Sequence, residues 1–534
     1  MRAHGTRGRH GRHGIRGRAL ALLAAALLAG GCAPSPEPPA SDTEPRAGTL
    51  RVLASSELTD VTETLAKAAQ ATGVEVRFTW AGTLDAVEQI ASGKADERYD
   101  AVWLSSNDYL RLRPEAAGKL TSETPLMTSP VAIGVKTATV RTLGWSADRV
   151  TWADVHKAVA AGRLTYGMTD PVRSNSGFAA LVSVASGLSG AQGALTGADV
   201  TSATPRLKEF FGGQRLTSGS SGWLAEAYTR RGTVDALINY ESVLLSMNRD
   251  SHAGLTVIRP RDGVVTADYP FSLLTSASAR AKEDAGKLTA HLRTAPVQRS
   301  LAATTLRQPV VGVPASSALA RRELPFPGSR TVADGLLASY ENVLRRRSRT
   351  VYVLDTSSSM GGERLTRLKE ALARLTGTAD SALGRRFRDR EEVTLLPFGS
   401  GVKDVVRQTV DPARPGASLD ALRSSASSLT AEGSTAIFSS LREAYERLGA
   451  PGDAFTSIVL MTDGENTVGD SMSDFDSFHA SLPPERRATP VFPILFGDSD
   501  RSELDHIAVL TGGQLFDATK GSLDRAFEEI RGYQ

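Results

Sequence analysis

The sequence predicts an α/β protein built in two successive parts, each a strand-rich core wrapped by helices. Three observations carry that prediction. Short apolar strands alternate with amphipathic helices from Thr49 and again from Thr350, and the turn-rich stretch RRELPFPGSR separates the two runs. In both runs the strand ends carry small polar or acidic residues, the position at which sheets of this class bind ligands. At 534 residues the chain also exceeds one ordinary core, given roughly 150 residues per domain.

In chain order, residues 1–31 read as a secretion signal. Six arginines (Arg2, Arg7, Arg9, Arg12, Arg16, Arg18) precede ten apolar residues, Ala19 to Leu28, and the small residues Ala29-Gly30-Gly31. Ten residues are too few for a membrane span, which needs about twenty. Without those arginines the formal charge of +3 becomes −3, so no charge argument for nucleic acid survives. The only cysteine, Cys32, follows directly, which excludes an internal disulfide and a thiolate metal cluster. The stretch LLAGGC resembles the lipobox of bacterial lipoproteins, with Ala29 and Leu28 one place out of the usual register. That resemblance implies lipidation of Cys32 and a lipid anchor on the extracytoplasmic face of the cell membrane. The plain alternative is a secreted protein with a stray thiol. Residues 32–48, rich in Pro, Ser and acid, read as a disordered tether.

The first domain is expected over residues 49–316. LRVLASS, VEVRFTWAG and YDAVWLSS read as strands of a parallel sheet, and ELTDVTETLAKAAQATG, ending on Gly73, and TLDAVEQIASG as helices. Ser55, Ser56, Ser105, Ser106, Ser174, Asn175, Ser176 and Tyr240 fall at strand ends. Serines there suit a polar or anionic ligand at helix starts, or serve only as helix caps. The segments LRVLASSEL, YDAVWLSSNDYL, SPVAIGVK, TDPVRSNSGFAAL, INYESVLL and DYPFSLL together resemble bacterial extracellular solute-binding proteins, the two-lobed receptors of ABC importers. The resemblance implies a periplasmic-binding-protein-like fold whose chain crosses between lobes near SPVAIGVK and returns near DYPF. It also implies a cleft for a small polar or anionic solute at the eight residues named.

Residues 317–349 read as a linker whose helix, VADGLLASYENVLRRR, packs on one domain; its three arginines are expected to form a solvated helix end. The second domain, residues 350–534, reads as doubly wound. TVYVLD, EEVTLLPFGS, SIVLMTDGEN and PVFPILFGD are its main strands, and RLTRLKEALARLTGTAD and TAIFSSLREAYERLG its main helices. Asp355, Ser357 and Ser359 end one strand, Thr435 follows in GST, and Asp463 ends another. Two carboxylates and three hydroxyls are hard donors with too little charge to satisfy a divalent cation, which suits Mg²⁺ or Mn²⁺ retaining water.

That set is similar to the metal-ion-dependent adhesion site of von Willebrand factor A (VWA) domains, DxSxS with a distant Thr and Asp; Ser434 stands where members often have glycine. The resemblance implies a Rossmann-like domain in which an acidic group of a protein ligand completes the metal's shell. Enzyme readings fare worse. A phosphatase of the haloacid dehalogenase type needs an acid where Ser357 stands, and no GxxxxGK[ST], HExxH or GxSxG occurs. The expectation is therefore a lipid-anchored binding protein, not an enzyme, that joins a solute-binding-like domain to a Mg²⁺-dependent adhesion domain. The alternative is an ABC importer receptor with an accessory VWA domain.

Overall fold

A computed structural model describes residues 48–311, 322–377, 386–497, 501–519 and 523–533. The signal, Cys32 and the tether up to residue 47 lie outside the described residues.

The first domain contains β1 (Thr49–Ser55), β2 (Glu75–Ala81), β3 (Ala101–Trp103), β4 (Leu120–Pro125), β5 (Met127–Lys136), β6 (Tyr166–Thr169), β7 (Gln214–Ser218), β8 (Ala236–Tyr240), β9 (Leu255–Ile258), β10 (Thr266–Ala267), β11 (Pro270–Leu274) and β12 (Gln308–Pro309). They form two sheets, and each sheet is the core of one lobe. The first has the order β2-β1-β3-β11-β4; the second runs β10-β5-β8-β6-β7, with β9 and β12 also on β5. The parallel sheet expected from the sequence is in fact mixed. β1, β2 and β3 are parallel, but β11 returns antiparallel to β3, and β5 runs antiparallel to β8. The cause is topological: the chain leaves lobe one between β4 and β5 and re-enters between β10 and β11, so the returning strand enters from the opposite end. The second crossing passes through Tyr269, a buried non-glycine residue at φ 42.

The expected helix 57–73 is a 3₁₀ turn, Ser56–Val61, followed by an α-helix, Thr62–Thr72. It stops as expected at Gly73, whose left-handed φ of 72 lets its N–H reach Ala69 O.

The linker helix Arg330–Ser339 is capped by the Ser329 side chain and continues as a π-helical turn, Tyr340–Leu344. Ala333, Leu336, Leu337, Tyr340 and Leu344 join the core of the first domain, so the helix packs on one domain as its spacing predicts. Of the three arginines expected to form a solvated end, only Arg347 is exposed. Arg345 and Arg346 are buried, because Arg345 donates to Ser348 and Arg346 pairs with Asp453 over the Phe455 ring.

The second domain contains β13 (Arg347–Asp355), β14 (Glu392–Phe398), β15 (Val406–Thr409), β16 (Ala454–Thr462), β17 (Val491–Leu495) and β18 (Phe516–Asp517) in the order β15-β14-β13-β16-β17-β18. Only β15 is antiparallel. Alternation along β13 sends Tyr352 and Leu354 to one face and Val351 and Val353 to the other. Leu368 and Leu372 of helix Glu363–Leu375 cover the first face, and Phe438 and Leu441 of helix Ile437–Leu448 cover the second. Burial on both faces explains why these strands read as continuous apolar runs.

The second domain docks on lobe two. Arg388 lies between Asp170 at 2.6 Å and Glu341 at 3.1 Å. Trp223 stacks on Tyr533 with ring centroids 6.5 Å apart, and Arg231 donates to Gly512 O at 2.6 Å. Arg388 and Arg346 precede β14 and β13, so this contact uses the N-terminal edge of the sheet.

Candidate functional site

The hydroxyls predicted to line the cleft of the first domain converge where the two lobes meet. On lobe one, Ser55 Oγ is 3.1 Å from Thr83 Oγ1, which is 3.3 Å from Ser105 Oγ, and Ser105 N–H donates to Ser55 Oγ at 3.2 Å. On lobe two, Ser176 Oγ gathers Thr169 at 2.8 Å, Ser174 at 3.1 Å and Ser221 at 2.7 Å, while Asn175 Nδ2 donates to Tyr240 OH at 2.9 Å. Burial drives the Tyr240 phenol and the Glu57 carboxyl above their ordinary ranges. Ser55 and Ser174 occupy helix N-cap positions, yet neither side chain caps its helix. Their hydroxyls are turned into the cleft instead. Ser106 is the exception, because its hydroxyl accepts from Asp108 N–H at 3.0 Å and closes a local turn.

The lobes are closed on one another. A Cβ added at Gly82 of lobe one would lie 2.6 Å from the Arg173 carbonyl of lobe two. Beside this contact is a cavity of about 530 Å³, lined by Ser56, Trp80, Asp85, Arg173, Trp223 and, from the C-terminal helix Leu523–Arg531, Glu529. Arg173 and Asp85 approach to 3.7 Å across it. Of the predicted residues only Ser56 reaches this space. Trp80, Asp85 and Arg173 were missed, although Arg173 stands immediately before Ser174, a position already singled out.

In the second domain the C-terminal ends of β13 and β16 bring the five predicted metal ligands to one rim. Asp355 Oδ1 accepts Ser357 N–H at 2.8 Å and its Oδ2 accepts the Thr462 hydroxyl at 2.6 Å, so the strand end fixes the loop that follows. Ser357 Oγ is 3.0 Å from Ser359 Oγ, which donates to Asp463 Oδ1 at 2.9 Å. Thr435 completes the set: a Cβ at Gly464 would stand 3.9 Å from both its hydroxyl and that of Ser359. Its loop is held by reciprocal bonds, Thr435 N–H to Thr467 Oγ1 at 2.9 Å and Thr467 N–H to Thr435 O at 2.8 Å. Burial pushes the Asp355 carboxyl above its ordinary range and the neighbouring Asp463 adds to the push, against the hydrogen bonds from Thr462 and Ser357.

The donor set fits a divalent cation: two carboxylates and three hydroxyls in a rim whose mutual bonds place them within a few ångströms. Among the described residues no group of three or more His, Cys, Asp or Glu is placed to hold a metal. Sequence reading missed three supporting residues. Thr462 bonds Asp355, Arg364 donates to Asp463 Oδ2 at 2.5 Å, and Lys403 donates to the carbonyls of Thr356, Thr430 and Glu432 at 3.0, 3.3 and 3.2 Å. Thr462 adjoins a predicted ligand, but the partners of Arg364 and Lys403 are distant in sequence.

These features define a two-lobed α/β binding fold carrying an additional doubly wound domain with an oxygen-lined rim. Residues 50–307 match the family model for bacterial extracellular solute-binding proteins, and residues 350–465 match that for the von Willebrand factor type A domain. The chain thus carries a solute-binding domain followed by a VWA domain; the first range contains the eight cleft residues and the second the five rim residues. Among solved structures, the chain is similar to the periplasmic binding protein AfuA from Actinobacillus pleuropneumoniae (13% identity, 55% of this chain and 98% of that one, TM-score 0.44). It is also similar to the sulfate-binding protein SubI from Mycobacterium tuberculosis H37Rv (16%, 54% and 96%, TM-score 0.41) and to a periplasmic thiamin binding protein (12%, 57% and 98%, TM-score 0.44). No curated protein matches. Among the described residues no helix is long and apolar enough to cross a membrane.

Proposed function

We propose that this chain is a lipid-anchored extracytoplasmic binding protein whose VWA domain captures an acidic group of a protein partner through Mg²⁺ or Mn²⁺. The observation that carries the reading is the convergence of Asp355, Ser357, Ser359, Thr435 and Asp463 at one rim, on the edge of the sheet opposite the contact with lobe two. The cation would be held by these residues and would supply the positive charge that an acidic side chain completes. The protein binds and does not catalyse. Cys32 carries the anchor, and Cys32→Ser is expected to release the protein from membranes. Calorimetry with Mg²⁺ and Mn²⁺ on the wild type and on Asp355→Ala tests the metal site. Binding by the wild type alone supports it, and equal binding by both, or by neither even with an acidic peptide present, rejects it.

A second reading is favoured by the cavity between the lobes. There the first domain takes a small polar or anionic solute, as a receptor for an ABC importer with the VWA domain as accessory. Its test is a thermal-shift screen with anions, sugars, amino acids and peptides. A ligand at a hundredfold excess over its Kd stabilises by about 2.7 kcal/mol, and no shift with any of them rejects the reading.

A further inference from the structure

Lys403 fills a seat of backbone carbonyls beside the metal rim. The turn after β14 folds back so that Lys403 N–H donates to Pro397 O at 2.8 Å. The ammonium at the end of its side chain donates to the carbonyls of Thr356, Thr430 and Glu432 at 3.0, 3.3 and 3.2 Å. An ammonium has three N–H groups, so each finds one carbonyl. The seat leaves no room for a side chain at residue 399: a Cβ at Gly399 would stand 2.5 Å from Glu432 O and 3.2 Å from Lys403 Cε. Two of the three carbonyls belong to the segments that deliver the predicted ligands. Thr356 lies between Asp355 and Ser357, and Glu432 lies three residues before Thr435. A cavity of about 670 Å³ opens onto the seat, with Thr356, Lys403, Ser425, Thr430 and Glu432 in its wall.

We propose that Lys403 is a positioning residue for the metal site, a built-in ammonium that clamps the loop of Asp355, Ser357 and Ser359 to the loop of Thr435. This rests on the metal reading above. Backbone bonds also join the two loops, Glu432 N–H to Thr356 O at 2.8 Å and Ser358 N–H to Gly433 O at 2.9 Å. Among the described residues, however, they leave the Thr430 and Glu432 carbonyls to Lys403 alone. Without the ammonium those carbonyls would face one another with no donor between them, a costly arrangement for backbone groups away from water. The segments would part to relieve it, and the hydroxyls of Ser357, Ser359 and Thr435 would move with them. The sign of the effect separates position from charge. Loss of a positive charge near the rim favours a divalent cation there, whereas loss of the clamp disfavours it.

The test is a calorimetric Mg²⁺ titration of the full chain as wild type, Lys403→Met and Lys403→Ala. Both variants are expected to bind Mg²⁺ about tenfold more weakly than the wild type, the lower range for groups that orient metal ligands. Ethylammonium, entering by the cavity, is expected to return the Mg²⁺ affinity of Lys403→Ala toward that of the wild type. Tetramethylammonium at equal concentration, which has the charge but no N–H, is expected to leave it low. Melting curves without metal supply a second readout: ethylammonium should raise the melting temperature of Lys403→Ala and leave that of the wild type unchanged. Unchanged or tighter Mg²⁺ binding in the two variants overturns the proposal. So does a Lys403→Ala that ethylammonium fails to rescue, or that tetramethylammonium rescues equally well. A wild type that binds no Mg²⁺ overturns the metal reading itself, and the positioning role with it, whatever the metal-free melts show of the seat.

Discussion

Asp355 has both carboxylate oxygens committed, one to the backbone of its own loop and one to the Thr462 hydroxyl at the end of the neighbouring strand. Replacing it with alanine removes a charge from the rim and frees the loop that aims Ser357 and Ser359. Mg²⁺ affinity is expected to fall about a hundredfold or more, the upper range for groups that orient metal ligands. Loss of two hydrogen bonds should cost stability no more than about 2 kcal/mol, because β13 and β16 remain paired along their length. Calorimetry beside a thermal melt separates the two effects, and a variant that loses metal binding only by unfolding would refute the assignment. Ca²⁺ is expected to bind more weakly than Mg²⁺, since it prefers six to eight oxygens at longer distances. At this scale the sequence was informative because a strand end concentrates its ligands locally. Asp355, Ser357 and Ser359 span five residues. Arg364 and Asp463, 99 residues apart, are joined only by the fold.

Between elements, the closed cleft depends on a glycine. Gly82 has ordinary φ, −66, so alanine strains nothing in the backbone, yet its Cβ would meet the Arg173 carbonyl at 2.6 Å. Gly82→Ala is expected to hold the lobes apart and to destabilise the closed form by about 1–3 kcal/mol, as overpacking does. Small-angle scattering should show a larger radius of gyration than the wild type, and an unchanged radius with an unchanged melt would refute the contact. The strand-and-helix alternation was legible here because apolar periodicity and turn residues are local signals. What escaped was set by partners far away. Nothing in VLRRR announces that Asp453 and Phe455 will receive Arg346, or that Tyr340 OH will reach Gln214 at 3.0 Å and turn the helix end inward. The sense of β11 was equally hidden, because it depends on where the chain re-enters lobe one.

Across the whole described molecule, the second domain and lobe two are fastened through Asp170. Its carboxylate takes Arg388 at 2.6 Å, with both side chains only 3% exposed. Its Oδ1 also accepts Val172 N–H at 3.0 Å, and its carbonyl accepts the N–H groups of Arg173 and Ser174 at 3.0 and 2.9 Å. The loop that delivers Ser174 and Asn175 to the cleft therefore hangs on a residue the VWA domain holds. Lobe two and the VWA domain should move together when the lobes open, carrying the metal rim with them. Burial works against the charge of Asp170, but Arg388 beside it, the Val172 N–H and the charges of Arg173 and Arg345 together outweigh burial and hold the carboxyl below its ordinary range. For a depressed acid, the stabilisation is complete above the unfolded-state value, near 4, and is lost as the pH falls through the lower folded-state value. Asp170→Asn cannot titrate, and it leaves Arg388 buried with Glu341 as its remaining salt bridge among the described residues and Glu391 nearby, a change of about 3–5 kcal/mol for a broken buried pair. The similarly depressed Glu391, paired with Arg531, is present in both proteins and cancels from the difference. Urea unfolding of wild type and Asp170→Asn at a series of pH values should thus give a gap that is constant from pH 7 to about 5 and closes below about 4. A gap that persists unchanged to pH 2, or none at pH 7, would mean that this bridge does not fasten the two domains.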